Sequence, residues 1–153
     1  MGVIVTDEVT IAAPANALSL PRLRSHDYRL YPVVDQIADK VCATLASYHG
    51  YPSSRQKDLV DLVVLAVTES IDADRLRVAI EREAAARRLA GPTAFGVPDT
   101  WGSGYEKLAK DISYCDGYRT VAAAEALVKR LIDPILDGSA AGRRWSHTTL
   151  RFA

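Results

Sequence analysis

The sequence has no surplus of charge of either sign, almost no cysteine, and no apolar run long enough to cross a bilayer. Nineteen Lys and Arg face nineteen Asp and Glu, so no global field draws the chain to nucleic acid or to an acidic membrane. Any contact with nucleic acid has to come from a local basic patch. The two cysteines, Cys42 and Cys115, lie in segments of helical pattern at a spacing that fits no metal motif, and they are expected as free thiols of a reducing compartment. The longest apolar run, LVVLAV from Leu62 to Val67, is about a third of the length a membrane-spanning helix needs. No secretory signal pattern precedes the first structured segment. These absences predict a soluble cytoplasmic protein with no membrane partner. His26, His49 and His147 stand far apart in the chain, so none is assigned to a metal. No internal repeat is visible.

What is present suffices for one domain. A chain of 153 residues with 48% hydrophobic content can bury a core of its own. Val3 to Ile11 is β-branched and partly alternating, which predicts a strand, and residues 27–32 form a second short candidate. From Pro32 onward the pattern is helical. Val34, Ile37, Ala38, Val41 and Leu45 recur at helical spacing and predict a first helix over 33–48. Gly50 and Pro52 end it. Ser53, with Gln56 three residues later, has the spacing of a capping box for a second helix through Val67. That helix is apolar nearly all round after Leu59 and is expected at the centre of the fold. Asp72 is a candidate N-cap for a third helix over 73–89. Gly91 to Gly104 reads as a long irregular loop, followed by a short fourth helix. Thr120 to Leu136 is a fifth, kinked or closed by Pro134. The remainder, from Gly138 on, is polar and punctuated by glycine.

Three charges stand out in this scheme. Lys40 falls at the edge of the apolar arc of the first helix, where a lysine ordinarily lays its stem on apolar neighbours. Asp58 sits in the first turns of the second helix, where the helix dipole favours a carboxylate. Asp61 is flanked by Leu59, Val60, Leu62, Val63 and Val64, and a charge embedded there needs a partner. Asp58 and Asp61 are three apart and share a helix side. Arg55 is placed to pair with Asp58, and Lys40 with Asp61. Two readings stand side by side: an interhelical ion pair, or a polar cluster lining a cleft with the lysine aimed at a phosphate. On the third helix, Arg75, Arg82 and Arg87 form a weak candidate track for an RNA backbone, diluted by Glu81 and Glu83. Trp101, Tyr105 and Trp145 are candidates for base stacking or for the core.

The stretches YPVVDQIADKVCATL (31–45) and PSSRQKDLVDLVVLA (52–66) resemble the C-terminal half of the AbiEii/AbiGii nucleotidyltransferase toxins of type IV toxin–antitoxin and phage-defence systems. Ala38, Asp39 and Lys40 match an A-D-K motif. Ser54, Arg55, Lys57, Asp58, Asp61 and Leu62 match S-R-x-K-D-x-x-D-L. A looser likeness continues to about Leu136. The resemblance implies a polymerase-β-like nucleotidyltransferase core with a helical C-terminal part, transferring a nucleotide from an NTP to an acceptor. In some members that acceptor is the 3′ end of tRNA. It also implies Lys40, Asp58 and Asp61 as the catalytic set, with Lys40, Arg55 and Lys57 on the nucleotide. The cofactor implied is a divalent metal, magnesium for the complete family fold. The family's Gly-Ser…Asp-x-Asp metal motif has no match before Asp35. Gly102-Ser103 and Gly138-Ser139 come late and without paired aspartates, so this chain by itself supports no metal ligand. On the candidate first strand, Asp7 or Glu8 is a candidate for the family's third carboxylate, against the ordinary reading of strand-end acids as solvated.

The expected fold class is therefore mainly α with a short N-terminal β element (α+β), the catalytic sheet largely missing. The expected organisation is residues 1–32 as the end of that sheet and a linker, 33–137 as a helical domain, and 138–153 as an irregular tail. The expected function is NMP transfer from NTP to an RNA acceptor such as tRNA, if a missing metal-binding half completes the site. The alternatives are a non-catalytic module that binds tRNA, a cognate antitoxin or another subunit, and a truncated inactive remnant.

Overall fold

A computed structural model describes residues 31–48 and 51–153. The candidate strands before Tyr31, with Asp7 and Glu8, and also His26 and His49, lie outside the described residues. The described chain is mainly helical, as expected, with five α-helices and two small antiparallel sheets.

Helix α1, Val33–Leu45, buries Ile37, Ala38, Val41 and Cys42. It stops three residues short of its expected end, because Ser47–Tyr48 (β1) pairs with Tyr51–Pro52 (β2) in a two-residue ladder. Helix α2, Gln56–Thr68, buries Leu59, Val60, Leu62, Val63 and Ala66. It packs against α1 and against every later helix but one, so its place at the centre holds. Its start differs from the capping-box expectation. The N-cap is Arg55, without a side-chain cap. Ser53 Oγ instead accepts from the Arg55 N–H, and Gln56 is used elsewhere.

Strand β3, Ile71–Asp72, leads into α3, Ala73–Ala86, whose N-cap Asp72 accepts from the Arg75 N–H at 3.0 Å. That hydrogen bond satisfies one of the four orphan donors of the first turn. Helix α3 lies along α1. The loop over 91–102 is tied to the last long helix, α5, Val121–Leu136. The Phe95 N–H donates to Asp133 at 2.7 Å, the Val97 N–H to Glu125 at 3.0 Å, and Lys129 to the Phe95 carbonyl at 2.8 Å. Helix α4, Ser103–Ala109, and a 3-10 turn at Ser113–Cys115 follow the loop. Helix α5 buries Ala124, Leu127, Val128, Leu131, Ile132 and Ile135, a regular helical stripe. Thr120 caps it, and Pro134 lies in its last turn, so the helix closes two residues later.

The segment expected as an irregular tail contains a hairpin. Arg144–Ser146 (β4) and Arg151–Phe152 (β5) pair with each other, and β4 pairs with β3. Trp145 is fully buried, donates to the Ala66 carbonyl at 2.8 Å, and meets Phe152 edge-on. One large aromatic side chain is enough to draw a polar, glycine-punctuated segment onto the core, because a buried indole removes a large apolar area from water and α2 supplies a partner for its N–H. Trp101 and Tyr105 are also buried, so all three stacking candidates belong to the core. Cys42 and Cys115 are buried free thiols. No helix among the described residues is long and apolar enough to cross a membrane.

Candidate functional site

Lys40 leaves α1 toward α2. Its Nζ lies 3.0 Å from Asp61 Oδ2 and 3.7 Å from Asp58 Oδ1. The two aspartates are one turn apart on α2 and face the lysine together. From the start of the same helix, Arg55 Nε reaches within 3.1 Å of Asp58 Oδ2, and Lys57 Nζ within 3.0 Å of Asp61 Oδ2. These five residues line one open cleft of about 440 Å³ with Ser54, Gln56 and, from α4, Gly104 and Leu108. The interhelical ion pair and the polar cleft wall, alternatives on the sequence, are the same group of side chains.

Exposure divides the cluster into layers. The Asp58 side chain is 4% exposed, and Lys40 and Asp61 are 14% and 16% exposed. Arg55 and Lys57 are at 48% and 65%. The inner residues are held by burial, and the two outer cations reach solvent while paired with the aspartates. Asp58 also stands in the first turn of α2, where the helix dipole favours its charge. Its hydrogen bonding is incomplete. Oδ1 accepts from Arg55 Nη2 at 3.4 Å. Oδ2 has no hydrogen-bond partner among the described residues, although Arg55 Nε is close, because that contact is out of line.

The electrostatics follow from this layering. Burial pushes the Asp58 carboxyl above its ordinary range, and the opposing charges of Arg55 and Lys40 only partly offset it. Burial alone would pull the Lys40 ammonium down. Its hydrogen bond to Asp61 and the charges of Asp61, Asp58 and Asp39 outweigh that, and the net direction is upward. Lys40 therefore stays protonated at neutral pH. Three cations face two carboxylates, so the cluster carries one formal positive charge in excess.

That balance bears on a metal. No group of three or more His, Cys, Asp or Glu able to hold a metal ion occurs among the described residues. A divalent cation between Asp58 and Asp61 would have to displace Lys40, Arg55 and Lys57 from both carboxylates. The described residues do not fit a metal and suit an anion instead.

The arginines of α3 divide. Arg75 and Arg82 are exposed, two turns apart on the helix. Arg87, expected on the same track, is turned back into the protein. Its Nη2 lies 2.7 Å from Asp39 and its Nε 2.8 Å from Glu83. Two carboxylates within reach hold a guanidinium more firmly than solvent does.

The site residue that the sequence pattern concealed is Gln56. Its Oε1 accepts from the Tyr105 N–H at 2.8 Å and from the Gly102 N–H at 3.4 Å. A side chain of α2 thus serves the orphan donors at the start of α4. Beside it, the Trp101 indole donates to the Ser53 carbonyl at 2.8 Å. The capping-box spacing marks Gln56 for another role, and no local signal marks this one, because its partners lie 46 and 49 residues further on.

Comparison with families of known proteins places residues 4–145 in one match, described as Nucleotidyl transferase AbiEii toxin, Type IV TA system. Neither the curated proteins nor the solved structures compared with the chain gave a match. The family match runs through both motif helices and on into β4, so it covers the whole charged cleft. The chain belongs to the AbiEii family of nucleotidyltransferase toxins of type IV toxin–antitoxin systems.

Proposed function

We propose that the cleft binds the triphosphate of an NTP. The observation that carries this reading is the excess positive charge of Lys40, Arg55 and Lys57 around two engaged carboxylates in an open cleft. Arg55 and Lys57 are the exposed cations that meet the phosphates first. Lys40, held by Asp61 and Asp58, is the fixed charge behind them. The aspartates orient the cations: Asp58 sets Arg55, and Asp61 sets Lys40 and Lys57. In nucleotidyl transfer an acceptor hydroxyl bonds to the α-phosphorus while the bond to pyrophosphate breaks. Lys40 and its neighbours would stabilise the charge on that leaving group.

The acceptor in this reading is RNA, with tRNA first by family resemblance, and Arg75 and Arg82 on α3 are the contacts offered to its backbone. The metal-binding carboxylates of the family, and with them NTP-dependent catalysis on magnesium, would have to come from outside the described residues. A cognate antitoxin is the protein partner that the family implies. A binding-only module for tRNA, antitoxin or another subunit is the second reading. It is favoured by the ion pairs that hold both Asp58 and Asp61 to cations of the protein itself.

The test is transfer of label from each of four α-labelled NTPs to total tRNA, with magnesium. Transfer that is lost in Lys57→Ala, with the protein shown to be folded, supports the enzyme. Folded protein that transfers from no NTP but still binds tripolyphosphate supports the module. Protein that binds no phosphate compound at all contradicts the NTP site and with it the enzyme.

A further inference from the structure

The proposed phosphate wall belongs to α1 and α2, but the cleft has a second wall that carries no charge. It is made by Gly104 and Leu108 of α4. Leu108 is 44% exposed, one of few large apolar side chains left open to solvent among the described residues, and the only apolar side chain of that size in the cleft lining. An NTP has the same division: a polyanionic end and a nucleoside with an apolar face. From this match we infer that α4 is the nucleoside-side wall, that Leu108 is its contact, and that Gln56 is the positioning residue that sets its distance from the phosphate wall. The inference rests on the reading of the cleft as an NTP site.

The geometry ties the two walls at one point. Gln56 is the first residue of α2 and stands beside Lys57 and Asp58. Its amide oxygen holds the first turn of α4 through the Tyr105 and Gly102 N–H groups. Gly104 makes room for it. A Cβ at position 104 would meet the Gln56 amide nitrogen at 2.7 Å and its Cδ and Oε1 at 2.9 Å. Those are the far atoms of a flexible side chain, so an added methyl would not break the fold. It would expel the amide from its seat and release two hydrogen bonds. Gly104→Ala and Gln56→Ala therefore act on one connection, from opposite sides. Neither removes a charge from the phosphate wall, and Gly104→Ala leaves the sequence of α2 unaltered.

The experiment is calorimetric titration of the full chain, in EDTA, with ATP, CTP, GTP and UTP and with inorganic tripolyphosphate. Wild type is expected to bind at least one NTP more tightly than tripolyphosphate. Leu108→Ala should weaken that NTP about fivefold, the worth of part of a leucine contact, and leave tripolyphosphate unchanged. Gln56→Ala and Gly104→Ala should each weaken the NTP severalfold, again without effect on tripolyphosphate. The double variant should be no worse than either single one, because the same connection is lost once. Equal loss for NTP and tripolyphosphate in these variants overturns the inference and leaves the phosphate site standing. So does additive loss in the double variant, or a wild type that binds tripolyphosphate as tightly as every NTP. A wild type that binds neither overturns the inference together with the NTP reading beneath it.

Discussion

Asp39 and Lys40 are neighbours on α1, yet they enter two different ion-pair networks. Asp39 turns to α3, where Arg87 bridges it to Glu83. Lys40 turns to α2, where Asp58 and Asp61 meet it and bring Arg55 and Lys57. The first network has one cation and two carboxylates, all linked by short, well-directed hydrogen bonds. It staples α1 to α3. The second has three cations, two carboxylates, an acceptor atom left unsatisfied, and an open cleft in front. Networks that only hold helices together close their hydrogen bonds, since an unmet buried group costs about 1–3 kcal/mol. The excess positive charge and the open cleft in front of the second network are what the proposed phosphate reading rests on.

Replacing Lys40 gives the largest expected effect. Lys40→Ala removes the inner cation facing a buried carboxylate and should cost about 3 kcal/mol of unfolding free energy, read from urea denaturation. In an Asp58→Asn background the same change should cost clearly less, because the buried charge is already gone. If the cost is equal in both backgrounds, Lys40 is not serving Asp58, and the contrast drawn above fails.

Arg87→Ala should cost less, about 1 kcal/mol, since its partners are partly exposed. It should leave the affinity for tripolyphosphate untouched. A loss of phosphate binding in this variant would join the two networks into one. Lys57→Ala lies at the small end for stability, a few tenths of a kcal/mol for an exposed pair one helical turn apart. Its phosphate affinity should nevertheless drop severalfold, and the drop should shrink as salt is raised. Between Arg87 and Lys57, stability and phosphate binding thus rank in opposite order.

A last, smaller difference appears at alkaline pH. Burial pushes the Cys42 thiol from its ordinary 9.0 up to about 11. The folded state then keeps a proton that the unfolded state has released. Stability is full below pH 9 and falls as the pH rises toward 11. Lys40, also shifted upward, adds to the loss above 10.5. Cys42→Ala should reduce the slope of stability between pH 9 and 10.5, measured by thermal unfolding; the Cys115 thiol and the Tyr105 phenol, both also pushed up by burial, carry the slope that remains, and Lys40 joins them above 10.5. An unchanged slope below 10.5 would show that Cys42 titrates as an exposed thiol.

Much of this organisation is legible along the chain. Apolar spacing places α1, α2 and α5, because helical period alone decides which side chains share a face. Asp72 and Thr120 mark the starts of α3 and α5, because an N-cap acts on the two or three residues after it. Lys40, Asp58 and Asp61 declare themselves because a charge among apolar neighbours needs a partner. The irregular tail and the capping box are misread for one reason. Trp145 finds its acceptor 79 residues back in the chain, and Gln56 finds its donors 46 and 49 residues ahead.

By itself the sequence determined the helices, their polar faces, the motif residues and their family. The tertiary structure alone decided which helix each face meets. It sent Asp39 to α3 and Lys40 to α2, drew Arg87 off the surface, folded the last segment onto α2, and seated Gln56 against Gly104. The physical reason is that periodicity and capping act over a few residues, whereas the partner of a buried charge or an orphan N–H is chosen by packing, and packing is blind to distance along the chain.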